Sequence, residues 1–165
     1  AALPVYGPPG TAERICNAFE NPPTDGLLDV YDFREVGPGT HQIGPFTVTT
    51  GLTVHPIPCH ALRIEAGGKV ITYSADTAVC DTVVELARDA DLFLCEASWP
   101  SVPTPPPGIH LTGREAGEHA VKAGARRLLL THVMPFHDAD VLLAEAREVF
   151  DGPVEVVTTD AVYPL

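Results

Sequence analysis

The stretch "LLLTHVMPF" at residues 128–136 decides how the chain is read. Three leucines form a short apolar run, the mark of a strand buried on both faces of a sheet. A threonine and His132 interrupt it just before a Met-Pro turn. An imidazole where a parallel strand leaves the core either caps the turn or is held at the sheet rim to bind something.

Working outward, residues 126–132 are a strand flanked by two helices, "TGREAGEHAVKAGA" (112–125) and "ADVLLAEAREVF" (139–150). Before them, "CDTVVELARDA" (80–90) reads as a helix and "DLFLCEA" (91–97) as a strand; "PVEVVTT" (153–159) is a last strand. That βαβαβ alternation predicts helices packed on a sheet. A Pro-rich loop, "SWPSVPTPPPGIH", occupies residues 98–110, and loops of that length are often functional. Residues 10–20 predict a helix with Thr11 near its start, and "NPPTDG" (21–26) a turn cluster. Strands are expected at 27–36, 46–57, 61–66 and 69–75, with a hairpin turn at "AGGK" (66–69). The first eighty residues are therefore expected to be β-rich and paired antiparallel.

At 165 residues, 45% hydrophobic and 19% charged, the chain has the composition of one folded domain with a substantial core. No apolar run approaches the roughly 20 residues that span a bilayer. The net charge of −12, from 22 acids against 10 bases, repels phosphate backbones and disfavours a large nucleic-acid footprint. Cys16, Cys59, Cys80 and Cys95 lack C-x-x-C spacing and read as reduced thiols of a cytoplasmic protein.

The polar residues gather where strands end. His55 closes "GLTVH", Asp76 "KVITYSAD", Glu96 "DLFLCE" and His132 "RRLLLTH"; His110 ends the Pro-rich loop. Ligands of α/β folds sit beyond the carboxyl ends of strands, and histidines with a carboxylate suit zinc, manganese or iron. A carboxylate can bridge two cations where a neutral imidazole cannot, so Asp76 is the candidate shared ligand. Each residue also has a plain structural reading. His132 could bond a turn, Asp76 could N-cap the next helix, and His55 could be an exposed strand end. Glu96 could be a buried carboxylate on a backbone amide, and His110 a helix cap, although Thr112 is the better one. His41, His60, His119 and His137 read as surface or filler, with His137 nearest the same rim.

At these residues the chain resembles the metallo-β-lactamase fold superfamily, in its ribonuclease Z-like branch, from about Thr47 to Leu165. The resemblance rests on "VHPIPCHALRIE", in which Arg63-Ile64 follow His55 by eight residues, then "YSADT", "LFLCEAS" and "HLTGREAGEHAVKAGARRLLLTHVMPF", in that order. It implies an α/β fold, the C-terminal part of an αββα sandwich with mixed β-sheets and flanking helices. It implies two divalent metal ions, zinc first and manganese or iron next. His55 would bind one, His132 the other, and Asp76 would bridge them. His110 matches a non-ligand histidine that stabilises or protonates the departing group, and Glu96 an acid that orients it. The branch's His-x-His-x-Asp-His signature is absent from these residues. The opening "LPVYGPPGTAER" resembles the family segment that comes directly after that signature. Residues 1–165 are therefore expected to be one domain, the C-terminal part of a larger one, and inactive alone.

The branch contains tRNA-processing nucleases and small-molecule phosphodiesterases, cyclic-nucleotide ones included. The former carry a long RNA-gripping arm between the third and fourth motifs, whereas here His55 and Asp76 are separated by one hairpin's length. A small phosphodiester is the expected substrate, with no large nucleic acid or membrane as partner and a homodimer as the expected assembly. Two rivals stand beside this: a hydrolase of lactones, thioesters or sulfate esters on the same fold, or a non-catalytic binding module lacking half its metal site.

Overall fold

The computed structural model describes residues 1–19 and 26–165, in two compact units, 1–38 and 39–165. In the first, β1 (Leu3–Gly7) pairs in parallel with β2 (Tyr31–Glu35). Helix α1 (Thr11–Ala18) and the helical turn α2 (Leu27–Val30) come between them in sequence. The helix expected at 10–20 is present, while its Glu20 and residues 21–25 of the turn cluster lie outside the described residues. Two expectations fail here. Strand β1 was unanticipated because Pro4 lacks the N–H of a ladder; with a single partner strand it is tolerated. Its parallel pairing contradicts the antiparallel arrangement expected of the first eighty residues. The strand expected at 27–36 is also shortened: after Gly26, at φ 78, the chain makes a helical turn before extending at Tyr31.

The second unit is a seven-stranded mixed sheet in sequential order: β3 (Gly39–Ile43), β4 (Phe46–Leu52), β5 (His60–Ala66), β6 (Lys69–Tyr73), β7 (Leu92–Glu96), β8 (Leu128–Thr131) and β9 (Val154–Val156). Pairing is antiparallel from β3 to β6 and parallel from β6 to β9. Strand β3, with only Ile43 apolar, carried no pattern to find. The hairpin at 66–69 turns through Gly67 and Gly68 at φ 57 and 75, the left-handed pair that a two-residue loop needs.

Helices α3 (Asp81–Leu86), α4 (Gly113–Ala123) and α5 (Ala139–Arg147) link the parallel strands. Residues alternating along β7 and β8 (Phe93, Cys95, Leu128 and Leu130) share one buried cluster with Val83, Ala116, Ala120 and Ala146 from those helices. Thr112 caps α4 in a full capping box with Glu115. At Gly113 a side chain would collide with the Leu142 carbonyl of α5, so the close approach of the two helices requires glycine. Arg63 donates to the carbonyls of Leu86 and Arg88, at 2.9 and 2.7 Å, closing the end of α3.

The four parallel strands, β6 to β9, leave their carboxyl ends on one edge. Strand β4, two antiparallel steps from β6, ends on that edge too. This is what gathers the functional residues.

His119 is not the surface or filler residue expected. It is 1% exposed, accepts a hydrogen bond from the Cys80 amide at 3.1 Å and donates through Nδ1 to the Glu115 carbonyl at 2.7 Å. Burial pushes its pKa below the ordinary histidine value, outweighing the bond to Glu115. The folded ring is thus neutral where the unfolded one, with a pKa of about 6.5, takes up a proton. Stability from this residue is complete above that value and is lost as pH falls through it toward the folded pKa. Urea unfolding between about pH 8 and 5 is expected to show this decline, and His119→Gln, which keeps an acceptor for Cys80, to flatten it.

Candidate metal centre

The site is built from loops that leave this edge of the sheet. Asp76 follows β6, Glu96 ends β7 and His132 follows β8. His55 does not close a strand as expected. β4 ends at Leu52, because Pro56 and Pro58 cannot donate to a ladder. The loop carrying His55 is instead pinned to the loop carrying Asp76. Thr53 Oγ1 donates to the Asp76 carbonyl at 2.8 Å, the Val54 amide to Thr77 Oγ1 at 3.3 Å, and the Ala78 amide to the Val54 carbonyl at 2.8 Å. Asp76 does not N-cap a helix, since α3 begins only at Asp81. Ala75 and His132 both hold left-handed backbone, at φ 52 and 57, a cost that non-glycine residues bear mainly at functional sites.

Glu96 lies beneath these loops with 0% exposure. Its Oε1 accepts from the Thr77 amide and from His110 Nδ1, the latter at 3.1 Å. Its Oε2 accepts from Ser98 Oγ at 2.7 Å and the Leu111 amide at 3.3 Å. Four donors occupy the four lone-pair positions of one carboxylate. The expected role as a buried acid on a backbone amide and the role as a support for His110 thus coexist in one residue.

Three imidazoles line up above it. His110 lies 5.6 Å from His55 and 5.0 Å from His132, ring centre to ring centre. His132 Nδ1 is 3.6 Å from Asp76 Oδ1. Ligand atoms of His55, Asp76 and His110 all lie within 4.8 Å of one another, as do those of Glu96, His110 and His132. Each ring rests its Nδ1 on an oxygen: the Ile57 carbonyl for His55 at 3.3 Å, Glu96 for His110, and Ser98 Oγ for His132 at 2.9 Å. A carboxylate only accepts here, so His110 carries the hydrogen on Nδ1 and leaves Nε2 with a lone pair, while His55 Nδ1 faces both the Ile57 carbonyl and, at 3.5 Å, Cys59 Sγ. That backing is typical of metal-binding histidines. Of the two groups, the one containing Glu96 is the poorer cation site, because its carboxylate is already fully engaged.

His137, the outlying candidate, joins neither group. It packs against Trp99 and Phe136, with ring centres 4.8 and 4.7 Å away. Ser98 closes the family-like "LFLCEAS" and opens the Pro-rich loop, and neither assigned it a role. The signal was its spacing two residues after Glu96, which puts both side chains on one side of the extended backbone.

Residues 1–133 match the family described as "Beta-lactamase superfamily domain". An uncharacterized protein of Mycobacterium tuberculosis is 41% identical over 165 residues, 96% of this chain and 60% of that protein. YhfI of Bacillus subtilis, a metallo-β-lactamase fold protein, is 34% identical over 161 residues, 98% of this chain and 64% of YhfI. Its crystal structure superposes with a TM-score of 0.83 at 30% identity, covering 96% of this chain and 63% of that one. A ribonuclease Z of Myxococcus xanthus is 41% identical over 120 residues, 68% of this chain and 37% of that enzyme. The chain thus spans about 60% of the length of the mycobacterial relative.

The four-donor carboxylate makes Glu96→Gln a severe change despite its equal size. The amide offers one oxygen and turns its NH2 toward two groups that donate. The variant is expected to lose about 2–3 kcal/mol of unfolding free energy, read by urea denaturation against the parent.

Proposed function

The chain belongs to the metallo-β-lactamase superfamily of metallo-hydrolases, in its ribonuclease Z-like branch, and from that membership we propose that it carries the C-terminal half of a phosphodiesterase site acting on a small phosphodiester such as a cyclic nucleotide. The observation that carries this reading is the position of Asp76, which has a ligand atom of His55 within 4.8 Å and His132 Nδ1 at 3.6 Å, with each imidazole backed by an oxygen at Nδ1.

Imidazole nitrogens and a carboxylate fit two divalent ions, zinc first and manganese or iron next. In this reading His55 would hold one ion and His132 the other, with Asp76 as the ligand they would share. When bound, such ions lower the pKa of water and offset charge developing on the phosphoryl group. His110 would first take up a proton on Nε2 and then pass it to the leaving oxygen, while Glu96 holds the ring through the Nδ1 hydrogen. Three side chains leave further donors to come from elsewhere in the protein, so residues 1–165 alone turn over little.

Three features support a small substrate. The β5–β6 hairpin uses the residues between His55 and Asp76 and leaves no room for an RNA-gripping arm. The net charge of −12 opposes a polyanion. A cavity of about 660 Å³ borders His110, lined also by Val54, Val79, Pro105 and Pro107, and offers space for the departing part of the ester. Among the described residues no helix is long and apolar enough to cross a membrane. A cytoplasmic homodimer completes the proposal.

The test is metal-dependent hydrolysis by the full-length protein of bis(p-nitrophenyl) phosphate and cyclic nucleotides against lactone substrates. Turnover of the phosphodiesters is expected, and turnover of lactones alone would replace the reading with its rival. His110→Ala is expected to lower kcat by about 10²-fold or more on alkoxide leaving groups. On p-nitrophenolate, which departs without a proton, the loss should be several-fold smaller.

A further inference from the structure

Ser98 is fully buried and stands at a crossing of three potential partners. Its Oγ lies 2.7 Å from Glu96 Oε2, 3.0 Å from the His132 carbonyl and 2.9 Å from His132 Nδ1. A hydroxyl has one hydrogen to give and lone pairs to receive with. Two of the three partners, the carboxylate and the carbonyl, compete for that hydrogen. Whichever takes it, none remains for a lone pair on Nδ1. If Nδ1 were unprotonated, three acceptors would converge on the one proton of a fully buried hydroxyl, and two of the three contacts would set lone pairs against each other; a hydrogen on Nδ1 relieves one of them.

From this we infer that Ser98 is a positioning residue that locks His132 in its Nδ1–H tautomer, so that Nε2 keeps the lone pair a metal ion would take. Geometry of the His132 backbone serves the same end: the residue sits at φ 57 with its carbonyl against the same hydroxyl. The chain of contacts runs on through Glu96 to His110. One carboxylate therefore sets the ring on the metal side and the ring on the leaving-group side together. The metal-binding consequence rests on the reading of His132 given above, whereas the tautomer does not.

The tautomer can be read without metal. In ¹⁵N-histidine-labelled, metal-free protein at a pH where the ring is neutral, long-range ¹H–¹⁵N spectra are expected to show His132 protonated at Nδ1 and bare at Nε2. Ser98→Ala should shift the ring toward the Nε2–H form and weaken zinc binding, measured by chelator competition, by about tenfold or more. Ser98→Thr, which retains the hydroxyl, should restore both. An Nε2–H tautomer in the unaltered protein overturns the assignment, and so does an alanine variant with unchanged tautomer and zinc affinity. Should the alanine variant fail to fold, the spectrum of the parent and of Ser98→Thr decides alone. The expected tautomer with zinc affinity indifferent to His132→Ala would keep Ser98's role and remove His132 from the metal site.

Discussion

The site depends on one buried carboxylate. Glu96 is taken out of water completely and is compensated by four hydrogen bonds. Such a group is costly to bury unless every lone pair is met. Its partners are therefore constrained as a set: the Thr77 amide beside Asp76, the Leu111 amide beside His110, the His110 ring, and the Ser98 hydroxyl that meets His132. Three loops that carry the candidate site residues are tied to a single point at the end of β7, and moving one strands a donor or an acceptor in the interior.

Topology delivers the parts to that point. The parallel run from β6 to β9 returns each strand to the same edge through a helix, and two hairpin reversals bring β4 to that edge as well. Packing keeps the strands in place. The helices are rich in alanine and glycine where they approach one another, and the capping box and Arg63 fix their ends. Rigid elements thus hold the backbone, and the loops need only short hydrogen bonds to set the side chains.

Much of this was legible in the residues. Asp76, Glu96 and His132 stand at strand ends because a buried apolar run has to stop where a charge or imidazole begins, and that boundary is visible in "VITYSAD", "LFLCE" and "LLLTH". The helices of the second unit were visible for the same reason. His55 was identified as a residue but misplaced in structure, since the alternating pattern of 46–57 hid the effect of two prolines. Strands β1 and β3 were missed because they carry proline or polar residues and depend on a partner strand. His119, and the contact of Ser98 with His132, were illegible for another reason. Their roles are hydrogen bonds to groups 39 and 34 positions away, and no local pattern records a partner at that distance.

The family likeness and the geometry address different questions. The family match and the identity with YhfI place the chain in the metallo-β-lactamase superfamily, while the arrangement around Glu96 says which side chains are free to meet a cation and which are already spent. The most direct measurement is anomalous diffraction from zinc-soaked crystals of the full-length protein. Zinc should contact Asp76 together with His55 or His132 while Glu96 keeps its bonds to Thr77, Ser98 and Leu111. Zinc bound directly by Glu96, with those bonds broken, would contradict the account.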